Sequence, residues 1–146
     1  MGRSARGVRG IKVGKDDSVI ATEVVLDPKA YLLTVAENGL GKRTKLAEYK
    51  TQNRGGSGIL TSKVTGKTGN LVSANIIDET VKNDLLLISE KAQVIRLPVK
   101  QVPILGRATQ GVYLMRLNGK DKVSAVSFLE EEEEIPTDKS TDKEKN

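Results

Sequence analysis

The chain says nearly the same thing three times. The segment Gly2-Arg3-Ser4-Ala5-Arg6-Gly7-Val8-Arg9-Gly10-Ile11 returns in outline as Asn53-Arg54-Gly55-Gly56-Ser57-Gly58-Ile59-Leu60, and again as Gly106-Arg107-Ala108-Thr109-Gln110-Gly111-Val112-Tyr113-Leu114-Met115. Each copy is a turn of small residues bearing an arginine that feeds an apolar, extended stretch. Gly7 to Gly58 is 51 positions and Gly58 to Gly111 is 53. Leu32-Leu33-Thr34-Val35 answers to Leu85-Leu86-Leu87-Ile88 at 53, and Val19-Ile20-Ala21 to Val72-Ser73-Ala74 at 53. A common step over unrelated landmarks marks repeated structural units, each burying an apolar face on its neighbour, as in solenoids or propeller blades.

Within a unit the pattern reads as short, β-branched, partly alternating strands separated by turn residues. The first unit predicts strands over 8–13, 18–25, 31–36 and 42–46, and the second over 59–64, 71–77, 85–88 and 94–97. The third adds 112–117 and 123–129, after which the pattern stops. Asn118-Gly119 stands between two strand patterns as a type I′ hairpin pair, and Gly14-Lys15 and residues 66–69 fall at the matching places. Asn38-Gly39 is a second such turn, whose counterpart Lys91-Ala92 lacks the glycine. Capped 3.6-period stretches are missing. The expected fold is all-β, a propeller-like repeat of about two and a half four-stranded blades over residues 1–129.

Four aromatic residues, Tyr31, Tyr49, Tyr113 and Phe128, are too few to dominate a core, which must come from Val, Ile, Leu and Ala. No apolar run approaches the roughly 20 residues of a membrane helix and no signal sequence is legible, so a soluble, cytoplasmic protein without membrane contact is expected. Cysteine and histidine are absent. That removes disulfides, the usual zinc sets and the commonest general base near neutral pH, so neither a metal site nor a catalytic residue is expected. Asp16-Asp17 in a turn and Asp78-Glu79 in a loop read as solvated carboxylates. Gly66-Lys67-Thr68 ends like a phosphate loop, but position 61, where that motif needs its first glycine, is Thr61, and no helix pattern follows.

The net charge of +5 hides an uneven distribution. Residues 1–129 carry 21 Lys and Arg against 11 Asp and Glu, whereas residues 130–146 carry 3 against 8. The latter are expected to be a disordered acidic tail, either solubilising or competing with a polyanion for the basic body. In that body Arg3, Arg6, Arg9, Lys12, Lys42, Arg43, Lys45, Arg54, Arg96, Lys100 and Arg107 cluster at recurring points of the repeat. Single exposed cations usually serve solvation alone, but blades around an axis bring equivalent side chains to one rim, and a continuous basic rim suits a phosphate backbone. Single-strand binders stack bases on aromatic platforms, which this chain scarcely has, so duplex DNA held by its phosphates is the better fit.

The three turn copies, together with Asn38-Gly39-Leu40-Gly41-Lys42-Arg43-Thr44 running to Glu48-Tyr49 and with Gln52-Asn53-Arg54-Gly55-Gly56-Ser57-Gly58, resemble the last blades of the C-terminal domain family of the DNA gyrase A subunit. The resemblance covers residues 1 to about 129. It implies a β-pinwheel that wraps duplex DNA around its basic edge for an ATP-dependent type II topoisomerase that introduces negative supercoils. It implies as partners the B subunit together with the rest of the A subunit, in a heterotetramer. ATP and Mg²⁺ are then used by the partner subunit, with no cofactor in this chain. Family domains have about six blades, so the chain reads as a fragment. Gln52 to Gly58 resembles the family's seven-residue box but falls in a later blade, and that box's role is not carried over. The nucleophilic tyrosine of these enzymes follows an arginine, whereas Tyr31, Tyr49 and Tyr113 follow Ala30, Glu48 and Val112, and all three read as packing residues. The alternatives are the C-terminal domain of the topoisomerase IV counterpart, which wraps DNA poorly, and a propeller-like protein-interaction module without chemistry.

Overall fold

The computed structural model describes residues 2–80 and 83–130, so the acidic tail expected over 130–146 lies, beyond Glu130, outside the described residues. Among the described residues seven strands form two antiparallel sheets. In the first, β1 (Tyr31–Ala36) and β2 (Leu40–Lys45) make a hairpin about Asn38-Gly39, in register from Tyr31 opposite Lys45 to Val35 opposite Gly41. Gly39 has a φ of 90°, which a side chain would strain, and a methyl there would overlap the Met115 carbonyl. On the free edge of β1 lies β3 (Leu71–Ile77), and on that of β2 the two-residue β6 (Val112–Tyr113), giving the order β3-β1-β2-β6. The second sheet is β5-β4-β7, with β4 (Asn83–Ser89), β5 (Val94–Pro98) and β7 (Val123–Glu130).

The second sheet is the first moved on by 53 residues. The agreement extends to the irregularities: 3₁₀ turns close the two hairpins at Leu46–Glu48 and Val99–Gln101, and the ladder slips between Val35 and Ala36 and again between Ile88 and Ser89. Even the turn that lacks its glycine keeps the geometry, since Ala92 adopts a φ of 62°.

Each sheet is assembled from different repeats, and this changes the strand list read from the sequence. A hairpin receives a long strand from the next repeat and, in the first sheet, a short one from the repeat after that. Segments 8–13, 18–25 and 59–64 are not strands; the first makes only one parallel bridge, Ile11 with Gly56. A strand exists through its ladder partners. Residues 18–25 occupy the repeat position of β3 but pair with no strand among the described residues, and Val24 and Leu26 stand 74% and 90% exposed. The stretch expected over 112–117 is cut to two residues because the chain dives inward. The Leu114 and Met115 amides both donate to Gly39 O, at 2.8 and 3.3 Å, and both side chains are buried.

The core lies between the sheets. Leu33, Val35 and Ile77 from the first meet Leu85, Leu87 and Val123 from the second, with Val99, Val102, Leu114 and Met115 filling in from the connections. At about 1.5–3 kcal/mol for each large aliphatic side chain removed from water, this cluster holds the two sheets together. Among the described residues no helix is long and apolar enough to cross a membrane.

Candidate nucleic-acid interface

The three turn copies share one backbone shape. Gly7, Gly58 and Gly111 have φ of 83°, 75° and 84°, the left-handed region where a Cβ is costly, and a Cβ on Gly111 would also come 2.6 Å from Gly41 O. Glycine at this step is therefore required by the turn, and the turn sets where the neighbouring cations emerge.

Successive copies lie side by side. The Gly55 amide donates to Gly10 O and the Lys12 amide to Gly56 O, both at 2.8 Å. One repeat later the Lys63 amide donates to Thr109 O at 3.1 Å, and the Arg107 guanidinium reaches Leu60 O at 3.1 Å. Lys12 to Gly56 and Lys63 to Thr109 are the same bond, since Lys63 follows Lys12 by 51 positions and Thr109 follows Gly56 by 53. The consequence is a recurring pair: Lys12 beside the turn that carries Arg54, and Lys63 beside the turn that carries Arg107. Arg116, a further 53 positions on, is the third member of the Lys12 and Lys63 series. Lys63 and Arg116 escape inspection of the sequence because each stands alone among neutral residues. Applying the repeat step to Lys12 finds both.

The expected cations divide by environment. Arg3, Arg6, Arg9, Lys12, Lys45, Arg54 and Lys100 are exposed. Arg96 is exposed but paired with Asp84 at 2.5 Å across the β4–β5 ladder. Arg43 is half-buried, its Nε donating to Val102 O at 2.8 Å and its Nη2 to Lys100 O at 3.3 Å, with the guanidinium over the Tyr31 ring. It ties β2 to the connection after β5 while keeping part of its charge at the surface. Arg107 is also half-buried, over the ring of Tyr49.

Lys42 does not belong to a rim. It is 1% exposed, and its Nζ donates to Gly106 O at 2.7 Å, to Arg107 O at 2.6 Å, and to Thr109 O and Oγ1 at 3.1 Å each. Burial pulls its pKa below the ordinary lysine value, opposed by the nearby Glu48 carboxylate. Glu48 Oε2 also accepts from the Arg107 amide at 3.3 Å. The ammonium therefore satisfies the inner carbonyls of the third turn, and its contribution is to hold the turn that carries Arg107.

Among the described residues two ion pairs form, Arg96 with Asp84 and Lys122 with Glu37, so most of the surface cations have no carboxylate at salt-bridge distance. A row of such cations raises local potential and attracts a polyanion over roughly one Debye length, about 8–10 Å in moderate salt. No group of three or more acidic residues among the described residues is placed to hold a metal ion. Tyr31 is buried and the Tyr49 hydroxyl meets Thr61 Oγ1 at 2.5 Å, as packing residues do, but Tyr113 departs from that expectation at 41% exposed.

The chain matches the family of the DNA gyrase C-terminal domain, a beta-propeller, over residues 1–25, 30–78 and 83–130. It is 42% identical over 134 residues to the DNA gyrase A subunit of Helicobacter pylori strain J99, and 40% identical over 133 residues to that of Aminobacterium colombiense. These alignments cover 92% and 91% of the chain but 16% of each relative, so the chain spans about a sixth of their length. A solved DNA gyrase A C-terminal domain superposes with a TM-score of 0.62 at 30% identity, covering 68% of this chain and 33% of that one. The C-terminal domain of DNA topoisomerase IV superposes with a TM-score of 0.76 at 16% identity, covering 85% of this chain and 38% of that one, and this shows the shared fold alone.

Proposed function

Because the chain belongs to the DNA gyrase C-terminal domain family, we propose that it holds duplex DNA by its phosphates along the row of turn cations, as the wrapping part of a gyrase A subunit. The observation that supports this most directly is the recurrence of Lys12 beside the turn that carries Arg54 and of Lys63 beside the turn that carries Arg107, set by the same backbone bond at successive repeats. Regular spacing of charge along the repeat suits a regular array of phosphates, and the low count of exposed aromatics disfavours single strands. In this reading the partners are the B subunit together with the rest of the A subunit. The B subunit uses ATP and Mg²⁺, and wrapping is coupled there to negative supercoiling. The chain itself contributes binding and no bond-breaking step. Higher sequence identity to gyrase A than to the topoisomerase IV domain favours the supercoiling enzyme over the decatenating one.

The test is titration of a labelled duplex with the 146-residue chain across a salt series. The expected log affinity falls steeply with log salt, by about 0.9 per phosphate neutralised. Replacing Arg3, Arg9, Lys12, Arg54 and Lys63 together with Ala should flatten the slope by up to about 4.5. Binding that ignores salt would point to a protein-interaction module instead, and an unchanged slope in the variant would remove the row from the interface.

A further inference from the structure

A second series of cations follows the repeat and is not part of the turn row. Gly14-Lys15, Gly66-Lys67 and Gly119-Lys120 stand at steps of 52 and 53 positions, and all three lysines are exposed. At the middle copy the surroundings are built up. Lys67 Nζ lies 5.4 Å from the centre of the Tyr113 ring and the Arg116 guanidinium carbon lies 4.9 Å from it.

Together with Gly119 and Asp121 these three side chains line a shallow depression of about 300 Å³. Asp121 keeps its charge but is held away from these cations, its carboxylate accepting from Ser89 Oγ at 2.5 Å and from the Lys91 and Lys122 amides at 3.1 and 2.9 Å, and it makes no ion pair with Lys67 or Arg116. Neither Lys67 nor Arg116 has a carboxylate partner among the described residues. Two like charges thus share one aromatic ring, whose attraction for each offsets part of their repulsion. An ammonium and a planar guanidinium facing one concavity suit an anion with several oxygens, the guanidinium fork taking two and the point charge a third.

We propose that Lys67, Tyr113 and Arg116 form a phosphate-binding site that takes a backbone phosphate of nucleic acid, separate from the row of turn cations. The assignment rests on the duplex-binding reading for its ligand, and free phosphate is the other source of the same chemistry. The chain contains no tryptophan, so Tyr113→Trp introduces a single reporter in the site. The reporter protein is titrated with labelled duplex, following indole emission and label anisotropy together, and separately with inorganic phosphate. Lys67→Gln with Arg116→Gln is made on the same background, both positions being exposed.

The expected result is an emission change that saturates with duplex, is lost in the double variant, and is accompanied by a salt slope lower by about 1–2 while overall binding persists. Normal duplex binding with silent emission and an unchanged slope would overturn the site and leave the duplex-binding reading standing. Failure of duplex to bind at all would refute that reading. In that case a response to phosphate alone would keep the site as one for free anions, and silence toward both would overturn it as well.

Discussion

Replacing Lys42 with Met tests whether a buried ammonium organises the third turn. Methionine keeps most of the stem's volume and removes the charge, so the change isolates the polar end. In the native protein the ammonium serves Gly106 O, Arg107 O and Thr109 O, with Thr109 Oγ1 as a fourth acceptor. Hydrogen bonds to a charged donor contribute about 1.5–3 kcal/mol each, so three carry a gross contribution of roughly 4–9 kcal/mol. Against this stands the cost of burying the ammonium, several kcal/mol, which methionine avoids. The carbonyls left behind belong to exposed or half-buried residues and can recover some hydration from water. The net loss should be about 2–4 kcal/mol, a large part of the roughly 5–15 kcal/mol that holds a domain folded, and a fall in Tm on the order of 10 °C. Calorimetry and urea unfolding of Lys42→Met against native protein measure it, with Lys45→Met on the exposed side of the same strand expected within about 0.5 kcal/mol of native. Equal or greater stability of Lys42→Met would show that the ammonium does not hold the turn. The pH dependence has a definite sign. The unfolded chain binds the Lys42 proton more firmly than the folded one, so stability gained from this group rises as pH climbs from the lowered folded value toward the ordinary 10.5, and Lys42→Met lacks that rise.

The Asp121 carboxyl is raised by burial but lowered more by donors from Ser89, Lys91 and Lys122, and it ends below its ordinary value of 3.8. Its contribution is complete above that value and lost as pH falls through the lower folded one, so the stabilities of Asp121→Asn and native protein should stay apart above 3.8, begin to converge as pH falls below it, and meet below the lowered folded value. Ala92→Gly removes left-handed strain of about 1 kcal/mol while loosening the unfolded chain by about 0.4–1 kcal/mol, so a urea midpoint at or slightly above native is expected. Gly39→Ala, whose methyl would overlap Met115 O, should instead lose more than about 1 kcal/mol. Lys63→Ala should leave the fold unchanged and lower the salt slope of duplex binding by about 0.9; the same slope as native would exclude Lys63 from the interface.

The repeat step was legible because glycine at 7, 58 and 111 answers a backbone demand that no other residue meets cheaply, and such demands are written one residue at a time. The same holds for the hairpins, whose apolar alternation and turn pairs are local. Local rules also explain where reading failed. Residues 18–25 and 71–77 carry similar patterns, yet only the second is a strand, because β3 has β1 to bond with and the earlier segment meets no such partner among the described residues. Lys42 and Lys45 look alike in sequence, three residues apart on one strand, and fall on opposite faces: one under the Gly106–Thr109 turn, the other in solvent. The sequence alone determined the all-β class, the 51–53-residue period and the excess of positive charge, since each follows from residue type and spacing along the chain. Which strands pair across repeats, which cations are free to meet a phosphate, and that Lys67 and Arg116 converge on Tyr113 were decided only by the tertiary structure, because solvent exposure and charge proximity depend on neighbours tens of residues away.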